Sequence, residues 1–225
     1  MIPYFFELYL KPKEGWEKLA KERFSIKELY LKVVLIFAAI PAISHFIGFT
    51  LFKKIYVQGI EDFLMMAEKD PQQSPQTVAY MKALLATLQD NSIVKELLVM
   101  LVTYGFELFK PVVLAILIMF LAGAFGGEKD PNKAFTVAVF SLVPQWMAGA
   151  FYAINSPLSM FILFLASFYT FYLIFIGAEK VLKVPTEGQK HFQFIIVLII
   201  LYLILSGVIG MVESTITYRI LVANL

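Results

Sequence analysis

Long apolar stretches alternate with short charged ones along this chain, and the two most regular stretches, residues 134–154 and 158–177, contain no charge and are joined only by Asn155-Ser156-Pro157. A helix rises about 1.5 Å per residue, so a run of about twenty residues is about 30 Å long, the thickness of a bilayer's hydrocarbon core. Each run is therefore predicted to cross a membrane. So short and uncharged a turn makes the pair an antiparallel hairpin. The same pattern predicts three further spans around it, over residues 33–52, 97–121 and 192–212. The predicted fold is an all-α integral membrane protein with five transmembrane helices, and short amphipathic surface helices before the first span and in the first loop.

Residues 1–28 form an amino-terminal segment ahead of a membrane domain over residues 29–225. The segment opens with the apolar patch Tyr4-Phe5-Phe6. Read as a helix, Glu14 to Phe24 gathers Trp16, Leu19 and Ala20 on one side, with Lys18, Lys21 and Glu22 around the rest. That suits a helix lying on a membrane surface. A full-length apolar run follows with no small-residue cleavage site, so the segment is not a signal peptide and the first span is expected to stay in the mature protein. Ser25 and Glu28 have the S-x-x-E spacing of a capping box and mark where the first long helix starts.

The loop over residues 53–92 holds two helix-like pieces, Gly59 to Glu68 and Gln76 to Gln89, separated by DPQQSP, whose prolines break any continuous helix. The second piece aligns Val78, Met81, Leu85 and Leu88 on one stripe. It either rests on the membrane, caps the bundle, or docks a partner.

Candidate chemistry lies in the polar residues inside the spans. His45 shares the first span with Pro41 and Ser44, but no second ligand stands at a companion spacing, which favours a buried histidine over a metal or proton ligand. Glu107, Lys110 and Pro111 interrupt the second span. Its sixteen Leu, Ile, Val and Phe residues, at about −0.3 to −0.6 kcal/mol each, outweigh two charges at about +2.5 to +3.5 kcal/mol each, so it still inserts. Three residues apart on one helical face, Glu107 and Lys110 can neutralise each other. In the third span Ser141, Pro144 and Gln145 stand beside Trp146, and the proline is expected to kink the helix and free a carbonyl that a neighbour must satisfy. Ser206 with Gly210, Ala134 with Ala138, and Ala38 with Ala42 have the small-xxx-small spacing that lets helices approach closely.

Composition sharpens this picture mainly by exclusion. With 60% hydrophobic and 16% charged residues and a mean hydropathy of +0.76, a soluble domain is excluded. A net charge of +2 is too small to suggest a nucleic-acid partner. The absence of cysteine removes disulfides, thiolate metal sites and cysteine nucleophiles. Neither histidine lies in H-E-x-x-H and no serine lies in G-x-S-x-G, so no enzyme, cofactor or metal is expected. The amino terminus, the 122–133 turn and the 179–191 loop carry eleven Lys or Arg against six on the other side. That difference predicts a cytoplasmic amino terminus and an external carboxyl terminus.

The run GGEKDPNKAFTVAVFSLVPQWMAGAF, followed by FYTFYLIFIGAEKVLKVP and a last span, resembles the Ypt-interacting protein (Yip) family over roughly Val102 to Val212. Ser141, Pro144 and Gly177 match the family's third- and fourth-span pattern, while Phe140 replaces its tyrosine. The resemblance implies five spans and a cytoplasmic amino terminus. It also implies a non-enzymatic scaffold that interacts with lipids and other membrane proteins and self-associates. Eukaryotic members bind prenylated Rab-type GTPases and have a long cytosolic region before the first span. Here only 28 residues precede it, and with the long first loop this looks like bacterial or archaeal members of the cytoplasmic (inner) membrane. No GTPase-contacting residue carries over. The competing expectation is a small transporter or channel with a polar path through Glu107, Lys110, His45 and Gln145.

Overall fold

Short polar and proline signals start the helices of this chain. Asp130 accepts hydrogen bonds from the amides of Asn132 at 2.8 Å and Lys133 at 3.0 Å, and Pro131 follows at the first helical position, where no partner for its nitrogen is needed. Ser156 and Pro157 repeat the device, Ser156 accepting from the Ser159 amide at 3.2 Å. Ser25 accepts from the Glu28 amide at 3.2 Å, as the S-x-x-E spacing predicts. The computed structural model describes residues 7–67, 69–70, 72–90, 92–154 and 156–223; Tyr4-Phe5-Phe6, Glu68, Pro71 and Asn155 lie outside them.

After a helical turn at residues 7–10 come α1 (Pro12–Leu19), α2 (Ile26–Thr50), α3 (Lys53–Ala67), α4 (Pro75–Gln89) and α5 (Ile93–Ala124). They are followed by α6 (Pro131–Ala148, extended by a 3-10 turn over Gly149–Ala153), α7 (Pro157–Lys180) and α8 (Lys190–Val222). Five of these, α2 and α5 to α8, are long and apolar enough to cross a membrane. No strand occurs among the described residues. The helices α5, α7 and α8 outrun the apolar stretches at both ends, and α2 and α6 outrun theirs at the start only, because a helix can continue past the hydrocarbon layer once its exposed face turns polar.

Successive spans alternate in direction, so the bundle has an amino end, with α1 and the 125–130 and 181–189 turns, and a loop end, with α3, α4 and the close of α8. The axis is α6, where residues 134–143 are buried without a break. Of its spanning window 72% is buried, against 17% for α8, which therefore stands at the lipid-facing rim. Ala134 and Ala138 are fully buried and keep α6 slim among its neighbours α2, α5 and α7. Toward the amino end Leu114, Ile118, Phe140, Leu173, Phe194 and Leu198 close the core.

Proline chemistry shapes α2. The helix winds loosely over Tyr30–Val34 and is interrupted at Ala38, just before Pro41, whose ring crowds the Phe37 carbonyl and offers it no amide. Tyrosines tie this stretch to α5. Tyr104 donates to the Leu35 carbonyl at 2.9 Å, and Tyr30 to the Leu108 carbonyl at 2.7 Å.

The amino-terminal helix α1 has the amphipathic face predicted for it, with Lys18, Lys21 and Glu22 outside. Its apolar side is filled by protein. Trp16 is wholly buried, packs edge-on to Phe140 at 6.5 Å, and lies over Gly177, where an added Cβ would come within 3.0 Å of the indole and of Val137. At the loop end α3 and α4 pair and cap the bundle. Their Tyr56, Ile60, Leu84 and Leu88 form a second apolar cluster with Phe49, Val99 and Leu221.

Candidate functional site

Two polar stripes face each other inside the bundle. On α5, Thr103, Glu107 and Lys110 are spaced four and three apart, so one helical face carries all three over about two turns. On antiparallel α8, Tyr202, Ser206, Gly210 and Glu213 share one face over about three turns. Between them lies a cavity of about 340 Å³, completed by His45 and Pro41 of α2, Gln145 and Tyr152 of α6 and its extension, and Ser167, Thr170 and Phe171 of α7.

The Glu107 carboxylate is held at both oxygens. Lys110 Nζ lies 2.6 Å from Oε1, and the Trp146 indole donates to Oε2 at 2.8 Å. The Lys110 side chain is 28% exposed and that of Glu107 13%, so the pair is neither sealed nor solvated. Nearer the loop end, Thr103 donates to Glu213 Oε1 at 3.0 Å. Among the described residues no cation lies within ion-pair distance of Glu213. His45 stacks on Tyr152 at 4.3 Å between ring centres. Tyr56 of α3 donates to the Tyr152 carbonyl, and burial, with the Tyr152 phenol adding to it, raises the Tyr56 phenol to about 12, so it stays a donor at any ordinary pH. The helix α4 packs against the close of α8, and there burial first and the Glu213 carboxylate second raise the Tyr80 phenol.

Of the residues singled out from sequence, His45, Glu107, Lys110, Gln145, Ser206 and Gly210 all line this cavity. Within the chain, a Cβ at Gly210 would find nothing within 4 Å among the described residues. Ser141 and Pro144 stand elsewhere. Ser141 is fully buried, and its hydroxyl has no hydrogen-bond partner among the described residues. Pro144 sits within α6 without ending it, and the carbonyl four residues before it, that of Phe140, accepts from the Tyr9 hydroxyl at 3.0 Å. Tyr169 in turn donates to the Tyr9 carbonyl at 2.7 Å. Ala134, Ala138 and Gly177 belong to the core contacts of α6 and α7.

The site residues that sequence reasoning passed over are Thr103, Tyr152, Tyr202 and above all Glu213. The signal was present. The helix pattern resumes after Glu213 as Ser-Thr-Ile-Thr-Tyr-Arg-Ile-Leu-Val, and Glu213 falls eleven residues after Tyr202, three turns along one face. Among the described residues no group of three or more His, Asp or Glu is placed to hold a metal ion.

Compared with known proteins, the chain matches the Yip1 domain family over residues 6–208. No curated protein and no solved structure matches it.

Proposed function

The chain belongs to the Yip1 domain family, and from that premise we propose that it is a non-enzymatic membrane scaffold whose working part is the cavity beside α5 and α8, a binding site for a lipid of the surrounding bilayer. The one-sided polarity of the interior carries this reading. Polar groups line the bundle from Lys110 toward the loop end. Toward the amino end Leu114, Ile118, Leu173, Phe194 and Leu198 are all fully buried and close the core beyond Lys110 with apolar side chains. A polar cavity that meets an apolar core on its amino side supports binding over conduction through Glu107, Lys110, His45 and Gln145. The exposed face of α7, with Phe161, Phe164 and Phe168, supports contact with lipid or with other membrane proteins, a second copy included. The excess of Lys and Arg at the amino end supports a cytoplasmic amino terminus.

Reconstitution tests the proposal. A photoactivatable phospholipid is expected to crosslink to α8 between Leu203 and Gly210, and proteoliposomes are expected to pass ions and small solutes no faster than empty vesicles. Flux that the protein supports and Glu107→Gln abolishes would replace binding with conduction.

A further inference from the structure

Glu213 presents a charge problem that the rest of the cavity does not solve. Lys110 is committed to Glu107 at 2.6 Å, one to two helical turns along α5 from Thr103, the residue that holds Glu213. One neutral hydroxyl is a weak partner for a carboxylate within a membrane-spanning helix, where an uncompensated charge is costly. Its second oxygen is without a hydrogen-bond donor among the described residues, and it lines an open volume of about 340 Å³.

Access to that volume is sideways. The seam between α7 and α8 is bridged by the ring contacts of Phe175 with His191 at 4.1 Å and Phe171 with Tyr202 at 5.8 Å. Past Tyr202, toward the loop end, the wall is Leu203, 60% exposed, then Ser206 and Gly210. Gly210 leaves that stretch without a side chain, and no atom of the described residues closes the gap within 4 Å of where one would start. An opening with an exposed apolar rim and a carboxylate inside suits a molecule that carries a cationic head on an apolar tail.

Resting on the binding reading above, we propose that the cavity is a site for a primary ammonium group, donated to Glu213 between α5 and α8, with the ethanolamine head of a phospholipid entering between α7 and α8 as its source. The ammonium brings the missing charge and N–H donors for the free carboxylate oxygen. The Tyr152 ring lines the same space and adds a face that attracts a cation. A trimethylammonium head has the charge but no N–H. The site is therefore selective for phosphatidylethanolamine over phosphatidylcholine.

The full chain, purified in mild detergent and offered equal amounts of phosphatidylethanolamine, phosphatidylcholine and phosphatidylglycerol, tests this by native mass spectrometry. The expected result is retention of the ethanolamine lipid over each of the others by about tenfold, the scale of one charge-assisted hydrogen bond. Glu213→Gln should erase that preference, and Thr103→Val, which leaves the carboxylate but removes its anchor, should reduce it. Far-ultraviolet circular dichroism checks that both variants are folded. Ethanolamine added in the buffer distinguishes the sources: displacement of the lipid shows that the ammonium alone is recognised, and no displacement assigns recognition to the lipid-borne group. Equal retention of all three lipids by the native chain, or a preference that survives Glu213→Gln in folded protein, overturns the ammonium site while leaving lipid binding intact. Retention of no lipid overturns the binding reading itself.

Discussion

Removing Lys110 alone should destabilise the protein more than removing Lys110 and Glu107 together. At an effective dielectric constant of about 20, unit charges about 3 Å apart attract by roughly 5 kcal/mol. Desolvation and the partial exposure of the pair, 28% and 13%, offset much of that. Lys110→Met leaves the carboxylate with only the Trp146 indole, 2.8 Å away, and is expected to cost about 2–3 kcal/mol. Glu107→Gln leaves the ammonium uncompensated, although its amide oxygen can still accept from Trp146, and is expected to cost a similar amount. The double variant keeps the indole bond and buries no charge, so it should return to within about 1 kcal/mol of the native chain. For a chain of 225 residues a change of 1 kcal/mol moves the melting point by about 2–4 °C. Single variants should therefore melt roughly 4–12 °C lower in detergent, with most of the loss recovered in the double. Losses that simply add would show that the two side chains are not energetic partners, and the account of the pair as a structural unit of the cavity would fall.

Tyr9→Phe withdraws the hydroxyl from the Phe140 carbonyl beside Pro144 and should cost about 1–3 kcal/mol in thermal unfolding; an unchanged melt would mean that this carbonyl does not depend on it. Gly177→Leu drives a side chain into Trp16 and Val137, an overpacking worth about 1–3 kcal/mol; α1 should detach, seen as faster tryptic cleavage at Lys18 and Lys21. The hydrogen bond from Lys180 is the main cause that lowers the pKa of Glu17. A lowered folded value means that the contact stabilises α1 above the ordinary carboxylate range and is lost as pH falls through the lowered one, so tryptic-site protection should weaken in acid and become independent of pH there in Glu17→Gln. Because the chain lacks cysteine, single cysteines at Glu14, Lys129 and Gln189 should be protected from an impermeant thiol reagent on intact cells and one at Gln73 labelled; labelling at Gln189 would overturn the proposed orientation.

The spans were legible because an apolar run of bilayer length is at home in few settings besides a membrane. Span limits were less so. Drawing the fifth span to Val212 treats Glu213 as the first residue outside, yet α8 runs on to Val222, and its last turns are covered by α4, with Thr217 and Leu221 buried. A charge inside that cover looks in sequence like a membrane boundary. Glycines show the same limit. Gly177 and Gly210 each sit in an apolar helix, but one is pressed between Trp16 and Val137 and the other opens onto empty space. Sequence spacing states that a close approach is allowed, and only the fold decides whether a neighbour takes it. Likewise, that Pro144 must free a carbonyl follows from its chemistry, whereas its donor, Tyr9, is 131 residues from Phe140 and no local pattern points to it.

A cavity lined by charges needs walls that do not collapse into it, and the contacts at its loop end supply them. Pro41, which interrupts α2, meets Gly149, where an added Cβ would lie 2.7 Å from the proline ring. That close approach brings α2 against the 3-10 turn and sets His45 flat on Tyr152. Tyr56 then fixes the turn from above by its bond to the Tyr152 carbonyl, while packing edge-on to Phe49 at 5.0 Å. The first loop is thus continuous with the site rather than an appendage to it. Its helix α3 holds the wall opposite Glu213, and α4 lies against α8 on the other side. This is why the loop is helical and apolar on its inner face in a chain whose other turns are only a few residues long. The bundle alone could bury its apolar core, but it is the capping pair that keeps a polar space open within it.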